Sequence, residues 1–266
     1  MVRLLTGAGV ETGFLPGTRD IWCRDYMPVQ VAEGRFVQFV YRPDYLAAGY
    51  EHLVTPPTVG EVIPHVRRCI RSDIVLDGGN VVGWGDCAII TDKVCRENAG
   101  WRPVELRREL GRLLEVEKVA VIPREPHDPF GHADGIVRFI ADRTVLVNDY
   151  SAAPAYRARL HAALGRAGLE WQEMPYRPVE DSSHGIPSAV GNYVNFLRVG
   201  RTVVVPAYGR NEDEAALRLL EMALLGCCVI PLNCRALAAQ GGVLNCVSWT
   251  IRIHSRGAQY GAAGPS

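Results

Sequence analysis

The sequence predicts an α/β fold made of five β-β-α-β units arranged as a ring. Three observations predict it: hairpin patterns recur along the chain, a helical pattern follows each clear hairpin, and a short apolar strand follows each helix. The repeat is about 55 residues long, so five units fill the 266 residues around a pseudo-fivefold axis. We therefore expect residues 1–266 to form a single domain.

The three clear units begin with an apolar strand, a tight polar turn and a second apolar strand. These hairpins occupy residues 80–91, 135–148 and 193–206. The helical segments that follow are RPVELRRELGRLLE, APAYRARLHAALGRAG and NEDEAALRLLEMALLG, and we expect Asn211 to cap the last of them. The closing strands are VAVIP, EWQEMP and CCVIPL.

The first and fifth units are inferred by extending this pattern. Residues 27–41 read as the first hairpin, followed by a helix candidate at 59–70 and the strand DIVL at 73–76. The fifth unit begins with a strand in VLNCVSWTIRI, residues 243–253, and must be completed by the N-terminal segment.

Composition narrows the classes of function. The 29 basic and 29 acidic residues cancel, which argues against binding to nucleic acid or to an anionic membrane surface. No apolar run is long enough for a membrane span or a signal peptide, so we expect a cytoplasmic protein. The eight cysteines show no paired CxxC spacing, so we expect no metal site. We expect most of these cysteines to be small buried hydrophobic side chains.

Five residues occupy equivalent places, each at the entrance to a hairpin. They are Asp25, Asp77, Asp134, Asn192 and Cys246, separated by 52, 57, 58 and 54 residues. In a ring such positions converge on the axis, and His132 would join them there. Buried charges are costly unless a ligand or partner compensates them, so this set predicts a binding pocket and not a core.

The chemistry of the set favours a guanidinium substrate. A guanidinium group carries N–H donors on opposite edges of one plane, and two carboxylates from opposite sides of the pocket can each accept from one edge. Because guanidinium carbon is a poor electrophile, its hydrolysis calls for a strong nucleophile, a role that the Cys246 thiolate could fill. One histidine, His132, could protonate the departing nitrogen and then deprotonate water.

Four motifs resemble those of the bacterial peptidylarginine deiminase and agmatine deiminase family of the guanidine-modifying, or pentein, superfamily. They are DIWCRDYMP, LDGGN, GHADGIVRF and GGVLNCVSW, and they occur in the family's order over residues 20–252. The resemblance implies a five-bladed α/β propeller of ββαβ units. It also implies hydrolysis of the guanidinium through a covalent amidino-thioether, without a metal or organic cofactor.

The resemblance implies a role for each matching residue. Cys246 would be the nucleophile and His132 the general acid and then base, while Asp25 and Asp134 would bind the guanidinium and Asn192 would lie close to the nucleophile. The supporting residues would be Asp77, which orients His132, Gly78 and Gly79, which allow close backbone approach, Trp22, which walls the substrate arm, and Arg24, which braces the carboxylates. His184 could close over the pocket from a long polar loop.

The substrate stays open at this point. Asn245 stands where agmatine deiminases usually place histidine, and Met27 replaces the glycine of the first motif. A small guanidine such as agmatine or an arginine derivative is preferred, peptidylarginine is the alternative, and Arg42 could meet a substrate carboxylate. Amidinotransfer and a non-catalytic binding role on the same ring fold are the further alternatives, although the latter predicts loss of the Cys246 and His132 pair. A homodimer is left open as the assembly.

Overall fold

The same three-stranded sheet occurs four times along the chain. The computed structural model describes residues 1–46, 49–126, 128–179, 182–183 and 186–253. In each sheet the first two strands form an antiparallel hairpin and the third lies parallel to the second. The strands are β1 Val29–Ala32, β2 Arg35–Val40, β3 Arg68–Val75, β4 Val82–Trp84, β5 Cys87–Thr91, β6 Lys118–Ile122, β7 Val137–Ala141, β8 Thr144–Asn148, β9 Glu170–Met174, β12 Leu197–Val199, β13 Thr202–Ala207 and β14 Cys228–Asn233, with a separate two-stranded hairpin of β10 Ser182–Ser183 and β11 Ile186–Pro187.

The middle strand of each sheet is the most buried. All five residues of β5 are buried, whereas the third strands β9 and β14 are largely exposed. The apolar runs predicted as second hairpin strands therefore lie at the centre of each unit. A central strand is covered on both faces and has a neighbouring strand on both edges. The predicted hairpins and third strands are confirmed in these four units, and the structure adds that each third strand runs parallel to the second.

Helices connect the second and third strands in three of the units. The chain's helices are α1 Val2–Gly7, α2 Cys23–Tyr26, α3 Lys93–Glu97, α4 Pro103–Leu114, α5 Pro154–Arg166, α6 Glu212–Ala223 and α7 Arg235–Ala238. Proline opens both α4 and α5, where its missing N–H costs nothing and its fixed φ suits the first turn. None of the helices in the described ranges is long and apolar enough to cross a membrane.

The start of α6 differs from the expected cap. Asn211 takes a helical conformation and its side chain makes no capping hydrogen bond. The carboxylate of Asp213 instead accepts hydrogen bonds from the backbone N–H groups of Tyr208, Gly209 and Arg210. The acidic side chain that anchors this turn thus lies inside the helix and not before it.

The connection in the first unit is not an α-helix. The helix predicted at 59–70 is replaced by a 3₁₀-helix, Pro57–Val62, and β3 already begins at Arg68. Pro64 explains the difference, because it lacks a backbone N–H and its ring excludes a helical turn before it.

The fifth unit does not form as a hairpin in the described residues. Residues 241–253 contain turns and no strand, so the strand predicted at 243–253 is wrong. The N-terminal segment, which was expected to complete this unit, forms helices α1 and α2 and no strand before β1. The backbone N–H of Asn245 donates to Asn195, and the carbonyl of Cys246 accepts from the N–H of Arg24. These hydrogen bonds go to neighbouring loops and leave no ladder for a strand. A five-bladed closure is therefore not seen, and the structure has an α/β fold with four repeated sheets.

The C-terminal loop is tied to the beginning of the chain. The indole N–H of Trp249 donates to the carbonyl of Pro28, and Gln30 exchanges two hydrogen bonds with the backbone of Arg252. These contacts span more than 220 residues of sequence. They hold the segment around residue 246 against the loop that precedes β1.

Short turns just before the first strands of the units carry the polar residues of interest. Helix α2 precedes β1, and the 3₁₀-helices Gly78–Asn80 and Ala133–Gly135 precede β4 and β7. Equivalent turns of successive units therefore present their side chains at the same end of the sheets.

Candidate active site

His132 lies buried between two carboxylates from different units. Its Nε2 is 2.8 Å from Oδ2 of Asp77, and its Nδ1 is 3.4 Å from Oδ1 of Asp25. Burial alone lowers the pKa of His132, but the charges of Asp25 and Asp77 outweigh it and raise the pKa to about 9. The ring is thus fixed at both nitrogens and holds its proton at neutral pH.

The pKa values of the two carboxylates beside His132 shift in opposite directions. Burial raises the pKa of Asp25 to about 7, and the nearby charges of Asp77 and Asp134 add to this against the opposing effect of His132. Burial also raises the pKa of Asp77, but hydrogen bonds and charges from His132 and Lys93 overcome it and leave the pKa below its usual range. Asp77 is therefore the permanent anion of the group, and Asp25 titrates near neutrality.

Gly79 marks the point where three of the functional groups converge. Its N–H donates to Oδ1 of Asp25 at 3.0 Å. A Cβ at this position would overlap that oxygen, and would lie 2.8 Å from Nδ1 of His132 and 3.4 Å from Oδ1 of Asp134. The neighbouring Gly78 packs against the carbonyl of Arg24 too closely for a side chain. Only glycine leaves this space free.

Asp134 is held by the residue that precedes the cysteine. Its Oδ2 accepts a hydrogen bond from the side-chain amide of Asn245 at 2.6 Å. The amide oxygen of Asn245 in turn accepts from the guanidinium of Arg138 at 2.8 Å. Burial lowers the pKa of Arg138 to about 10, so this cation stays charged beneath the site at neutral pH. The carboxylate is oriented through a relay in which Asp134 and Asn245 are buried and Arg138 is half-buried.

Cys246 is on the turn after Gly242, next to the same relay. Its thiol donates to Oδ1 of Asn195 at 3.4 Å. Burial raises the pKa of the thiol well above its usual range, and the charges of Asp134 and Asp25 raise it further. The thiol is therefore neutral at neutral pH, because burial and both nearby carboxylates oppose its ionisation.

The sequence model of the Porphyromonas-type peptidyl-arginine deiminase family matches residues 11–251. The chain belongs to this family. An agmatine deiminase of Pseudomonas savastanoi pv. phaseolicola is 27% identical over 273 residues, which cover 87% of this chain and 74% of that protein.

Solved structures show the same fold as this member of the family. A C. jejuni agmatine deiminase with substrate bound has a TM-score of 0.70 at 19% identity, covering 85% of this chain and 72% of that one. A putative arginine deiminase from Porphyromonas gingivalis has a TM-score of 0.71 at 22% identity, covering 92% and 80%. The chain thus shares the α/β fold of these deiminases.

Three residues that the family resemblance singled out make other contacts than expected. Asn192 donates its amide to the carbonyl of Gly135, whereas the contact to Cys246 comes from Asn195, three residues later. In the described part of the chain, Arg24 contacts the Cys246 loop through the carbonyl of Asn245 and makes no ion pair with a carboxylate. The ring of Trp22 packs on Gly242 and so walls the loop that carries the cysteine.

The remaining candidates lie apart or outside the described ranges. His184, expected to close over the pocket, lies outside the described residues, and Arg42 is exposed. All eight cysteines fall in the described part of the chain, and each is free. Over the described residues, no three His, Cys, Asp or Glu side chains are arranged to hold a metal ion.

Three further residues around the site were not predicted from the sequence: Asn80, Asn195 and Lys93. The two asparagines occupy the same place in their units, three residues after Asp77 and Asn192, so the repeat could have revealed them. Asn80 accepts hydrogen bonds from the N–H groups of Thr91 and Ala133 and so links two units. Lys93 carried no motif signal, and only its burial against Asp77 brings it to notice.

The unfolding free energy should fall as the pH rises from 6.5 to about 9. His132 binds its proton more tightly when folded, with its pKa moving from 6.5 to about 9, so its stabilising effect is complete below pH 6.5 and is lost as the pH rises through 9. Asp25, with its pKa raised from 3.8 to about 7, acts in the same direction. His132 alone accounts for up to about 3 kcal/mol of this fall in the unfolding free energy. Asp77, whose pKa is lowered, opposes this only in acid.

Denaturant unfolding at pH 6, 7.5 and 9 measures this dependence. A His65→Gln variant at an exposed turn should follow the wild-type curve. An unfolding free energy that stays level or increases over this interval would contradict the assignment.

Proposed function

We propose that this protein is a cysteine-dependent deiminase that hydrolyses a guanidinium substrate to a ureido product and ammonia. One observation carries the proposal. Asp25, His132 and Asp134 face a single point beside Gly79, and Asp134 is bonded to the residue that precedes Cys246. Membership of a deiminase family supports the same reaction.

The paired carboxylates suit a planar cation. Asp25 and Asp134 come from different units and direct one oxygen each towards the space beside Gly79. A guanidinium group presents N–H donors on opposite edges of one plane, so each carboxylate can accept from one edge. Asn245 and Arg138 keep the second carboxylate in place before the substrate arrives.

Substrate binding would itself activate the nucleophile. The carboxylates of Asp25 and Asp134 raise the pKa of the Cys246 thiol. A bound guanidinium neutralises both of them and adds a positive charge, which favours the thiolate. The thiol therefore gives its proton to solvent and becomes reactive only when a substrate occupies the site.

The reaction then proceeds in two stages. Sγ of Cys246 bonds to the guanidinium carbon, His132 gives its proton to the departing nitrogen, and the C–N bond breaks to release ammonia. An amidino-thioether remains on Cys246. The neutral imidazole of His132 then takes a proton from water, and the resulting hydroxide adds to the carbon. The C–S bond breaks as the added hydroxyl gives its proton to the departing sulfur, which releases the ureido product and restores the thiol.

A small alkylguanidine such as agmatine or an arginine derivative is the preferred substrate. The curated relatives named agmatine deiminase support it, and a peptidyl-arginine side chain is the alternative that the family's description supports. Asn245 distinguishes this chain from agmatine deiminases, which usually have histidine at this position. Its side chain forms hydrogen bonds with both Asp134 and Arg138.

Several finer expectations remain part of the proposal. These are a single catalytic domain over 1–266, independence from any cofactor, a cytoplasmic location and a homodimeric assembly. The eight free cysteines support a reducing compartment.

A panel of guanidines tests the reaction and the substrate together. Purified protein is given agmatine, free arginine, a blocked peptidyl-arginine and methylarginines, and both ammonia and the ureido product are measured. We expect equal amounts of the two products from at least one compound, and agmatine turning over faster than the peptide. A folded protein that releases neither product from any of them would overturn the proposal. A new guanidine formed on adding an amine would indicate amidinotransfer instead.

A further inference from the structure

Lys93 is an unusual residue in this chain. Only two of the 29 basic residues are lysine, Lys93 and Lys118, and the others are arginine. Lys93 opens helix α3, where the helix dipole disfavours a cation, and it is only 1% exposed. A buried lysine at an unfavourable helix position has to be stabilised by its surroundings.

Three carboxylates surround its ammonium group. Nζ lies 2.8 Å from Oδ2 of Asp77, 3.3 Å from Glu97 and 3.6 Å from Asp44, and it sits 4.8 Å from the centre of the Tyr45 ring. A compact ammonium can direct its three donors to three separate partners, whereas the planar fork of arginine suits one or two. The choice of lysine in an arginine-rich chain fits this arrangement.

The contact with Asp77 leads directly to the reacting histidine. Oδ2 of Asp77 is the same atom that meets Nε2 of His132 at 2.8 Å. The other oxygen, Oδ1, is buried without a hydrogen-bond partner among the described residues. Two cations thus share one carboxylate oxygen. Lys93 stabilises the anionic form of Asp77, and at the same time its charge opposes the protonated form of His132.

We infer that Lys93 is a positioning residue that limits how tightly His132 holds its proton. This inference rests on the proposed deiminase reaction, in which His132 has to act first as an acid and then as a base. Between Asp25 and Asp77 alone, the imidazolium would be strongly stabilised and slow to become the base that activates water. Lys93 lowers that stabilisation while keeping Asp77 ionised as the orienting partner.

Other charged and titratable groups face this pair from every neighbouring segment. The groups that act on His132 or Lys93 are Asp25 on α2, Asp44 and Tyr45 on the 3₁₀-helix Asp44–Leu46, Asp77 before the 3₁₀-helix Gly78–Asn80, Glu97 on α3, and Asp128 on the loop before His132. Burial raises the pKa of Glu97 to about 7, with Lys93 opposing the rise. Glu97 and Lys93 can therefore be changed separately to move the charge near His132 in opposite directions.

The titration of His132 in the free protein tests the inference without any substrate. The imidazole is followed by NMR in histidine-labelled protein, and a His132→Gln variant identifies its signal among the seven histidines. In Lys93→Met we expect the half-titration pH of His132 to rise by about one unit, because a like charge is removed. In Glu97→Gln we expect it to fall, and Lys118→Met, which removes the other lysine, should leave it unchanged.

The direction in which the half-titration pH of His132 changes distinguishes this role of Lys93 from a purely structural one. Loosening of the site by Lys93→Met would move the titration of His132 down towards 6.5, the value of a free histidine. A fall or no change in Lys93→Met overturns the inference, and if that variant does not fold, the absence of a fall in Glu97→Gln does so. On any guanidine that the wild type hydrolyses, the pH profile of kcat should shift upwards in Lys93→Met with KM little changed. The NMR result stands even if no guanidine is hydrolysed, so the two proposals can fail independently.

Discussion

A Cys246→Ala variant should form no ureido product above the uncatalysed rate on any guanidine that the wild type hydrolyses. In the proposed reaction Sγ makes the bond to the guanidinium carbon, and no other thiol contacts Asn195 in the described residues. We expect a loss of at least about 10⁴-fold in kcat, as for other covalent nucleophiles. Binding should persist, because Asp25 and Asp134 are unchanged.

The measurement is ammonia release at saturating substrate together with calorimetric titration of the same compound. Cys228→Ala is the matched control, since this cysteine is exposed on β14 and should keep wild-type turnover. Intact-protein mass spectrometry of the wild type, quenched during turnover, should detect the amidino adduct, and the alanine variant should lack it. A Cys246→Ala protein that retains a tenth of the activity would exclude Sγ as the nucleophile.

A single methyl group on Gly79 should be nearly as damaging. In Gly79→Ala the new Cβ would overlap Oδ1 of Asp25 and approach His132 and Asp134, so these groups have to separate. Displacements of about 1 Å at a reacting centre cost about 10²-fold in rate, and three groups move here, so we expect kcat/KM to fall by 10²- to 10³-fold. Overpacking should also lower the unfolding free energy by about 1–3 kcal/mol.

Gly83→Ala provides the comparison for this variant. Gly83 lies four residues further on, in β4, and a Cβ there meets nothing closer than a carbonyl at 3.9 Å. It should keep both activity and stability. Equal losses in the two variants would show that the space beside Gly79 is not the substrate site.

Local patterns were sufficient to predict most of the repeated structure. The hairpins, the third strands and the helices α4, α5 and α6 follow from periodicity and turn residues within each unit. The convergence of Asp25, Asp77, His132 and Asp134 follows in turn, because equivalent turns of repeated units meet at one end of the sheets.

What the sequence could not predict depends on contacts between distant segments. The apolar residues around Cys246 look like a strand, but their backbone groups bond to Arg24 and Asn195, which are far away in sequence. Likewise, Asn192 and Asn195 are equally good candidates by spacing, and only the packed structure decides which one contacts the thiol. Lys93 is a lone charged residue until the fold places Asp77 beside it.

The order of folding during synthesis on the ribosome depends on two sets of hydrogen bonds. They join Trp249 to Pro28 and Arg252 to Gln30. Because they link segments more than 220 residues apart, the contact order of this part of the fold is high, and such pairings form late. Asp25, Asp77, His132 and Asp134 are synthesised well before Cys246. A nascent chain can therefore fold its first units in order, but it gains its proposed nucleophile only when the segment around Cys246 emerges and packs against the first unit.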